Sequence, residues 1–178
     1  MAHDKTSGPR LRPMVQADLE TVWAWRNHWE VRRFMYNQQI IEWEQHCRWF
    51  ESASQDPRRH LMVFEVDDKR QGFASLTEHM TGKVADWGFY MAPGTEKGRG
   101  QQLGKLALAY AFEDLKLHKV CGQVLGFNEP SLRFHTRLGF RQEGVLRDQH
   151  FDGECFHSVS CFGILANEWD NAKSGIQV

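Results

Sequence analysis

The sequence predicts a mixed α/β domain, and three features carry that prediction. Short apolar, β-branched and aromatic runs interleave with stretches of helical periodicity in the order β-α-α-β-β-β-α-β-α-β-β. At 178 residues the chain is long enough for one sizeable core and short for two. A Gly-rich basic loop, "GTEKGRG", runs straight into the longest amphipathic segment.

Each element follows from its residues. "RLRPMVQAD" opens with a short alternating strand, and Asp18 is expected to cap the helix "LETVWAWRNH", where Leu19, Val22 and Trp23 have helical spacing. "IIEWEQHCRWFESAS" reads as a second helix, with Trp43, Cys47 and Phe50 on one side. "HLMVFEVDD" and "QGFASLTEH" form two strands joined at an Asp-Asp-Lys turn, and "KVADWGFYMAP" is a third, stopped by Pro93. The helix from Gly100 to Leu117 carries an apolar stripe at Leu103, Leu106, Ala107, Tyr110, Ala111 and Leu115. "HKVCGQVLGFN" is the next strand. "EPSLRFHTRLGF" is a short helix with Pro130 in its first turn, ended by Gly139, and two strands complete the sheet. Residues 1–9 are expected as a flexible lead, 10–169 as the domain and 170–178 as a polar tail.

Composition excludes several classes. A net charge of -1 gives no general affinity for nucleic acid or anionic membranes. No window approaches the ~18 apolar residues of a transmembrane helix, and the N-terminus lacks a signal peptide's apolar core, so a cytoplasmic protein is expected. The four cysteines are widely spaced and no HxH or HExxH pattern occurs, so no metal is expected. Five of the seven tryptophans fall in the first 50 residues, as core or as a pocket wall for a flat or sugar-like ligand.

The loop before the long helix suits a phosphate group, because a helix start offers unpaired N–H groups and a positive dipole end. Gly98 and Gly100 let the backbone approach closely, and Lys97 and Arg99 add charge. Neither a GxxxxGK[ST] loop nor an early GxGxxG unit is present. Lys97-Gly98-Arg99-Gly100-Gln101-Gln102, followed by Asn128, Ser131, His135 and Gly139-Phe140, resembles the two motifs of the GNAT acetyltransferase family. It departs from them at Lys97, at Gln102 and at His135, where that family usually has tyrosine. The resemblance spans about Arg10 to Trp169. "WRNHWEVRRFMYNQQIIEWEQHCRWFE" is similar to the pseudaminic-acid pathway members, while the ending "EGVLRDQHFDGECFHSV" also resembles ribosomal-protein alanine acetyltransferases.

The resemblance implies a sheet splayed at its fourth strand, acetyl-CoA as donor and direct transfer to an amine without a metal. The acceptor it implies is the 4-amino group of a UDP-linked 4-amino-4,6-dideoxy sugar, in pseudaminic acid biosynthesis and flagellin or surface glycosylation. It implies that Lys97, Gly98, Arg99, Gly100, Gln102, Leu103 and Gly104 cradle the pyrophosphate. Met91 and Ala92 would pair with the pantetheine arm, with the Met91 N–H facing the thioester oxygen, and Asn128, Ser131 and Phe134 would bracket the arm. His135 stands as proton donor or as a packed ring. Glu78 or Asp86 stands as proton acceptor or as surface charge, and a base could be absent. Arg26 would meet the acceptor's phosphates, Met35 and Tyr36 its sugar, His46 and Trp49 its base or ribose, and Ser75, Thr77 and Gln123 its hydroxyls, each with plain packing or sheet-edge polarity as the alternative. An acetyltransferase for a protein N-terminus or small amine stays open, as does a non-catalytic CoA-binding module. A homodimer is a further expectation of the resemblance.

Overall fold

The computed structural model describes residues 8–173, with side chains through Asp170. Most of the expected lead (1–9) and the last five residues of the expected tail lie outside them. Seven strands form one sheet in the order β1-β2-β3-β4-β5-β7-β6: β1 (Arg10–Pro13), β2 (Arg59–Val66), β3 (Lys69–Glu78), β4 (Val84–Met91), β5 (Lys119–Leu125), β6 (Arg141–Phe151) and β7 (Phe156–Leu165). All neighbours are antiparallel except β4 and β5, which run parallel.

Alternation along β2 and β3 sends apolar side chains to both faces, so two helical layers are needed to cover the sheet. Leu61, Val63 and Phe73 pack with Leu19 and Val22 of α1 (Leu19–Asn27) and Ala53 of α3 (Trp43–Gln55). Met62, Phe64, Ala74 and Leu76 pack with Leu103, Ala107 and Leu108 of α4 (Arg99–Ala109), joined there by Leu138 and Phe140 just past α5 (Glu129–Arg137). A short α2 (Trp29–Arg32), which the sequence pattern does not announce, follows α1.

Four expectations change. Asp18 precedes α1 but makes no side-chain cap; fully buried, its carboxylate accepts from Arg12 (2.7 and 2.9 Å), Arg70 (2.9 Å) and the Val15 N–H (2.9 Å). On α3 the buried side chains are His46 and Ala53, backed by Trp49 and Phe50, while Trp43 stays exposed. The helix expected to reach Leu117 is α-helical only to Ala109 and then widens into a π-turn, Tyr110–Asp114. The expected polar tail begins as a helix, α6 (Ala166–Lys173), because Trp169 anchors it in the core beside Phe112 at 6.3 Å.

Candidate active site

The site originates in a mismatch of strand register. β4 and β5 share only three residue pairs, Val84↔Lys119, Ala85↔Val120 and Asp86↔Cys121, and then diverge. The His79 N–H donates to the Val84 carbonyl and the Ala92 N–H to the Gln71 carbonyl (both 2.8 Å), so even-numbered β4 residues bond to β3. The N–H and C=O groups of Trp87, Phe89 and Met91 therefore point into the wedge. On the other wall, the Gly126 to Ser158 bond (2.8 Å) directs even residues of β5 at β7, leaving those of Gln123 and Leu125 aimed at the wedge. Two strand edges thus face each other with no strand between them.

A cleft of about 850 Å³ occupies the wedge and crosses the sheet. At one end it reaches Ala92, Pro93, Thr95 and Gly100, where Gly98 turns the chain into α4 with φ of 93°, a backbone region that suits glycine. Asn128, Ser131 and Phe134 line the adjoining wall. The Asn128 Oδ1 caps α5 by accepting from the Ser131 N–H (3.2 Å), and Phe134 packs at a tilt against Phe89 (4.6 Å). Leu103 and Gly104, expected at the pyrophosphate, lie too deep in α4 for their N–H groups to be unpaired. Leu103 is core, and a Cβ on Gly104 would come within 2.6 Å of Leu138 and 2.9 Å of Phe134, so this glycine sets how closely α4 approaches α5. Lys97, Arg99 and Gln102 surround the helix start but are not cleft walls; Arg99 donates to Gln102 (3.1 Å) and Glu96 (3.2 Å).

The opposite mouth is lined by Phe34, Met35, Tyr36, Ser75, Asp86, Gly88, Cys121 and Gln123. Register explains the grouping: Ser75 pairs with Gly88 and Thr77 with Asp86, so all four share the α1/α3 face. Thr77, the partner of Asp86, does not itself line the cleft. The loop carrying Met35 and Tyr36 is held from beneath. Asn27 exchanges two hydrogen bonds with Ile41 (2.8 and 2.9 Å), Trp23 Nε1 donates to the Ile41 carbonyl (2.7 Å), and Arg26 and Arg32 donate to the carbonyls of Asn37 (2.9 Å) and Gln38 (2.8 Å). Tyr36 Oη then donates across the mouth to Gln123 Oε1 at 3.0 Å.

Several expected site residues belong elsewhere. Arg26 holds the loop rather than lining the cleft, and burial lowers its pKa. His46 and Trp49 stack on each other (5.1 Å) on α3, Trp49 behind the cleft wall Phe73, and neither lines the cleft itself. Glu78 points to the α4 face, where it meets His60 Nε2 (3.0 Å), so it faces away from the mouth. His135 borders the cleft but is 2% exposed. Its Nδ1–H donates to the Ser131 carbonyl (2.8 Å) and its Nε2 accepts from Trp87 Nε1–H (3.0 Å). Its Nε2 therefore carries no proton, its single N–H is bound to a carbonyl, and burial pushes the ring's pKa down.

The geometry is a wedge with two free strand edges, a helix N-terminus at one end and a polar-aromatic mouth at the other. Residues 10–141 match the family model for the acetyltransferase (GNAT) domain. The chain belongs to the GNAT acetyltransferase family. It is similar to acetyltransferase PseH of Campylobacter jejuni, at 30% identity over 69% of this chain and 76% of that one. Spermidine N(1)-acetyltransferase of Escherichia coli is 26% identical over 80% of this chain and 77% of its own length. The fold overlays spermidine N-acetyltransferase of Vibrio cholerae, solved with CoA and spermine, with a TM-score of 0.86 over 92% of this chain and 98% of that one, at 22% identity. As a GNAT enzyme this acyltransferase takes its acetyl group from acetyl-CoA. The wedge fits that donor: an amide-bearing arm can pair with the free edges at Phe89 and Met91, and its phosphates can meet the start of α4. Among the described residues no His, Cys, Asp and Glu cluster could hold a metal.

Sequence reasoning missed the walls contributed by Trp87, Phe89 and Leu125, and it missed the loop clamp. β4's alternation was visible, but no local signal marks where its pairing with β5 ends.

Proposed function

We infer that the acceptor is the amino group of a nucleotide-linked 4-amino-4,6-dideoxy sugar, of the pseudaminic-acid type. The observation that carries this reading is the chemistry of the mouth. Phe34, Met35 and Tyr36 offer apolar and aromatic faces, Ser75 and Gln123 offer hydroxyl and amide groups, and only Glu30 and Asp86 bring acid. A polyamine with several ammonium groups calls for carboxylates at intervals, whereas a deoxy sugar calls for ring faces, a methyl-sized apolar wall and neutral hydrogen-bonding groups. The resemblance of the "WRNHWEVRRFMYNQQ" segment to pseudaminic-acid pathway enzymes supports the same class.

Asp86 is the carboxylate suited to take the amine's proton, directly or through water. It sits where β4 and β5 part, its side chain on the acceptor face and hydrogen-bonded to His79 Nε2 at 2.9 Å. The Met91 N–H, on the free edge, is suited to stabilise the negative oxygen of the tetrahedral intermediate. Thiol release from acetyl-CoA tests the reading with three acceptor panels: UDP-4-amino-4,6-dideoxy sugars, spermidine and spermine, and N-terminal peptides. Turnover confined to the sugars supports it, and turnover confined to polyamines or peptides overturns it.

A further inference from the structure

The wedge has a closed end as well as an open one. β4 and β5 make their last pair at Asp86↔Cys121, so Trp87 and Gly122 are the first residues beyond it. Trp87 sends its indole to the α4 face, where it is buried. A Cβ on Gly122 would come within 2.7 Å of both Trp87 Nε1 and His135 Nε2, so the missing side chain leaves room for those two rings to meet. The indole N–H donates to His135 Nε2 (3.0 Å), and the His135 Nδ1–H donates to the Ser131 carbonyl of α5 (2.8 Å). Phe140 stacks on the indole (4.9 Å) and Phe162 on the imidazole (5.0 Å). Amid these phenyl rings a buried indole N–H needs an acceptor. A histidine whose tautomer is fixed at Nδ1 supplies one, the bare lone pair of Nε2. His135 therefore ties β4 to α5 across Gly122 and holds the indole in one position.

We propose that Trp87 is the end wall that limits the donor's acyl group to acetyl, and that His135 is the positioning residue that pins this wall. Phosphates at the start of α4, with the arm along the free edges at Met91 and Phe89, direct the acyl end of the donor at the root of the wedge. There Trp87, Phe89, Phe134 and His135 line the cleft on its α4 side. The indole packs on Phe89 (4.8 Å) and lies nearly parallel to Phe134, with 15° between the ring planes. Such a wall has no slack, because each added methylene must displace a ring that is already close-packed. Turning the indole aside would also strip its N–H of the only acceptor it bonds, a penalty that phenyl rings alone would not impose. The Trp87–His135 pair thus makes the end of the wedge stiffer than packing by itself.

The proposal rests on acetyl-CoA lying in the wedge and not on the identity of the acceptor, so donor binding tests it with no acceptor present. Isothermal titration of the wild-type protein with acetyl-, propionyl- and butyryl-CoA is expected to show Kd rising about tenfold with each added methylene. Trp87→Phe, which shortens the wall, is expected to bring the three values within about threefold of one another. His135→Ala frees the indole and should level them likewise. His135→Gln, whose Oε1 can accept the indole N–H, should keep the wild-type ratios. Circular dichroism checks the fold of each variant. Equal affinity of the wild-type protein for all three donors overturns the proposal without any variant, and so do wild-type ratios in Trp87→Phe. Identical ratios in His135→Ala and His135→Gln overturn the role given to His135, since a merely packed ring would not distinguish them. Failure of the sugar reading shows separately, as the absence of thiol release with UDP-4-amino sugars while these binding ratios stand.

Discussion

At the scale of single residues, hydrogen-bond accounting separates chemistry from packing. Glu78 and Asp86 are both carboxylates at the same end of neighbouring strands, yet strand parity sends one to the α4 face and the other to the cleft mouth. Asp86→Asn is expected to reduce kcat by about 10²-fold, while Glu78→Gln leaves kcat within about threefold; steady-state kinetics on one amine decides between them. His135 makes a second case. Burial lowers its pKa, so below ~6.5 the unfolded chain binds a proton that the folded chain resists. That contribution to stability is full above the unfolded pKa and declines as pH falls through and below ~6.5. Urea midpoints measured between pH 5 and 8 should show this decline, and His135→Gln should flatten it.

Elements are positioned by a few specific contacts. Gly104 brings α4 against α5, and Gly104→Val, which overfills that contact, is expected to cost about 1–3 kcal/mol by urea denaturation. At the β1–β2 edge, Arg12 joins Asp18 (2.7 Å) and Glu65 (2.6 Å), both buried. Burial is the largest influence on Asp18 and would raise its pKa, but the Arg12 hydrogen bonds, the Val15 N–H and the charges of Arg12 and Arg70 together bring it below the usual value, and the Arg12 guanidinium lowers that of Glu65. Arg12→Leu leaves Asp18 with Arg70 and the Val15 N–H and Glu65 with Arg10, with an expected loss of about 1.5–3 kcal/mol at pH 7. Both folded pKa values lie below their unfolded ones, so this stabilisation is present above ~4 and is lost as pH falls through the folded values. The gap between wild type and variant should therefore narrow in acid. An equal gap at pH 3 and pH 7 would mean that the network does not act through charge.

For the whole molecule, the donor should act as a brace between the two halves of the sheet, which meet at only three β4–β5 pairs. Binding restricted to the folded state adds about 2.7 kcal/mol at a hundredfold excess over Kd. Thermal unfolding with and without acetyl-CoA measures this. Hydrogen exchange should slow most at the N–H groups of Phe89 and Met91, because those lack a partner strand. Unchanged exchange along β4 would argue against an arm paired there.

The element order gave the fold class, and the two motifs with the glycine-basic loop pointed to the acetyl donor through their resemblance to the GNAT family. Each depends on local periodicity or on short spacing, which the chain carries in plain view. Met91, Gly100, Asn128, Ser131 and Phe134 line the cleft, and Met35, Tyr36, Ser75 and Gln123 meet at its mouth. The tertiary structure alone decided where β4 and β5 part, which carboxylate faces the acceptor, and that His46, Trp49 and Arg26 serve packing and the loop. It also decided that both ring nitrogens of His135 are already engaged. Those outcomes depend on pairing register and on partners distant in sequence, such as Trp87 for His135 and Gln123 for Tyr36, 48 and 87 positions away. Local sequence fixes a side chain's chemistry and its parity along a strand; only the folded neighbours determine whether its protons and lone pairs are already engaged.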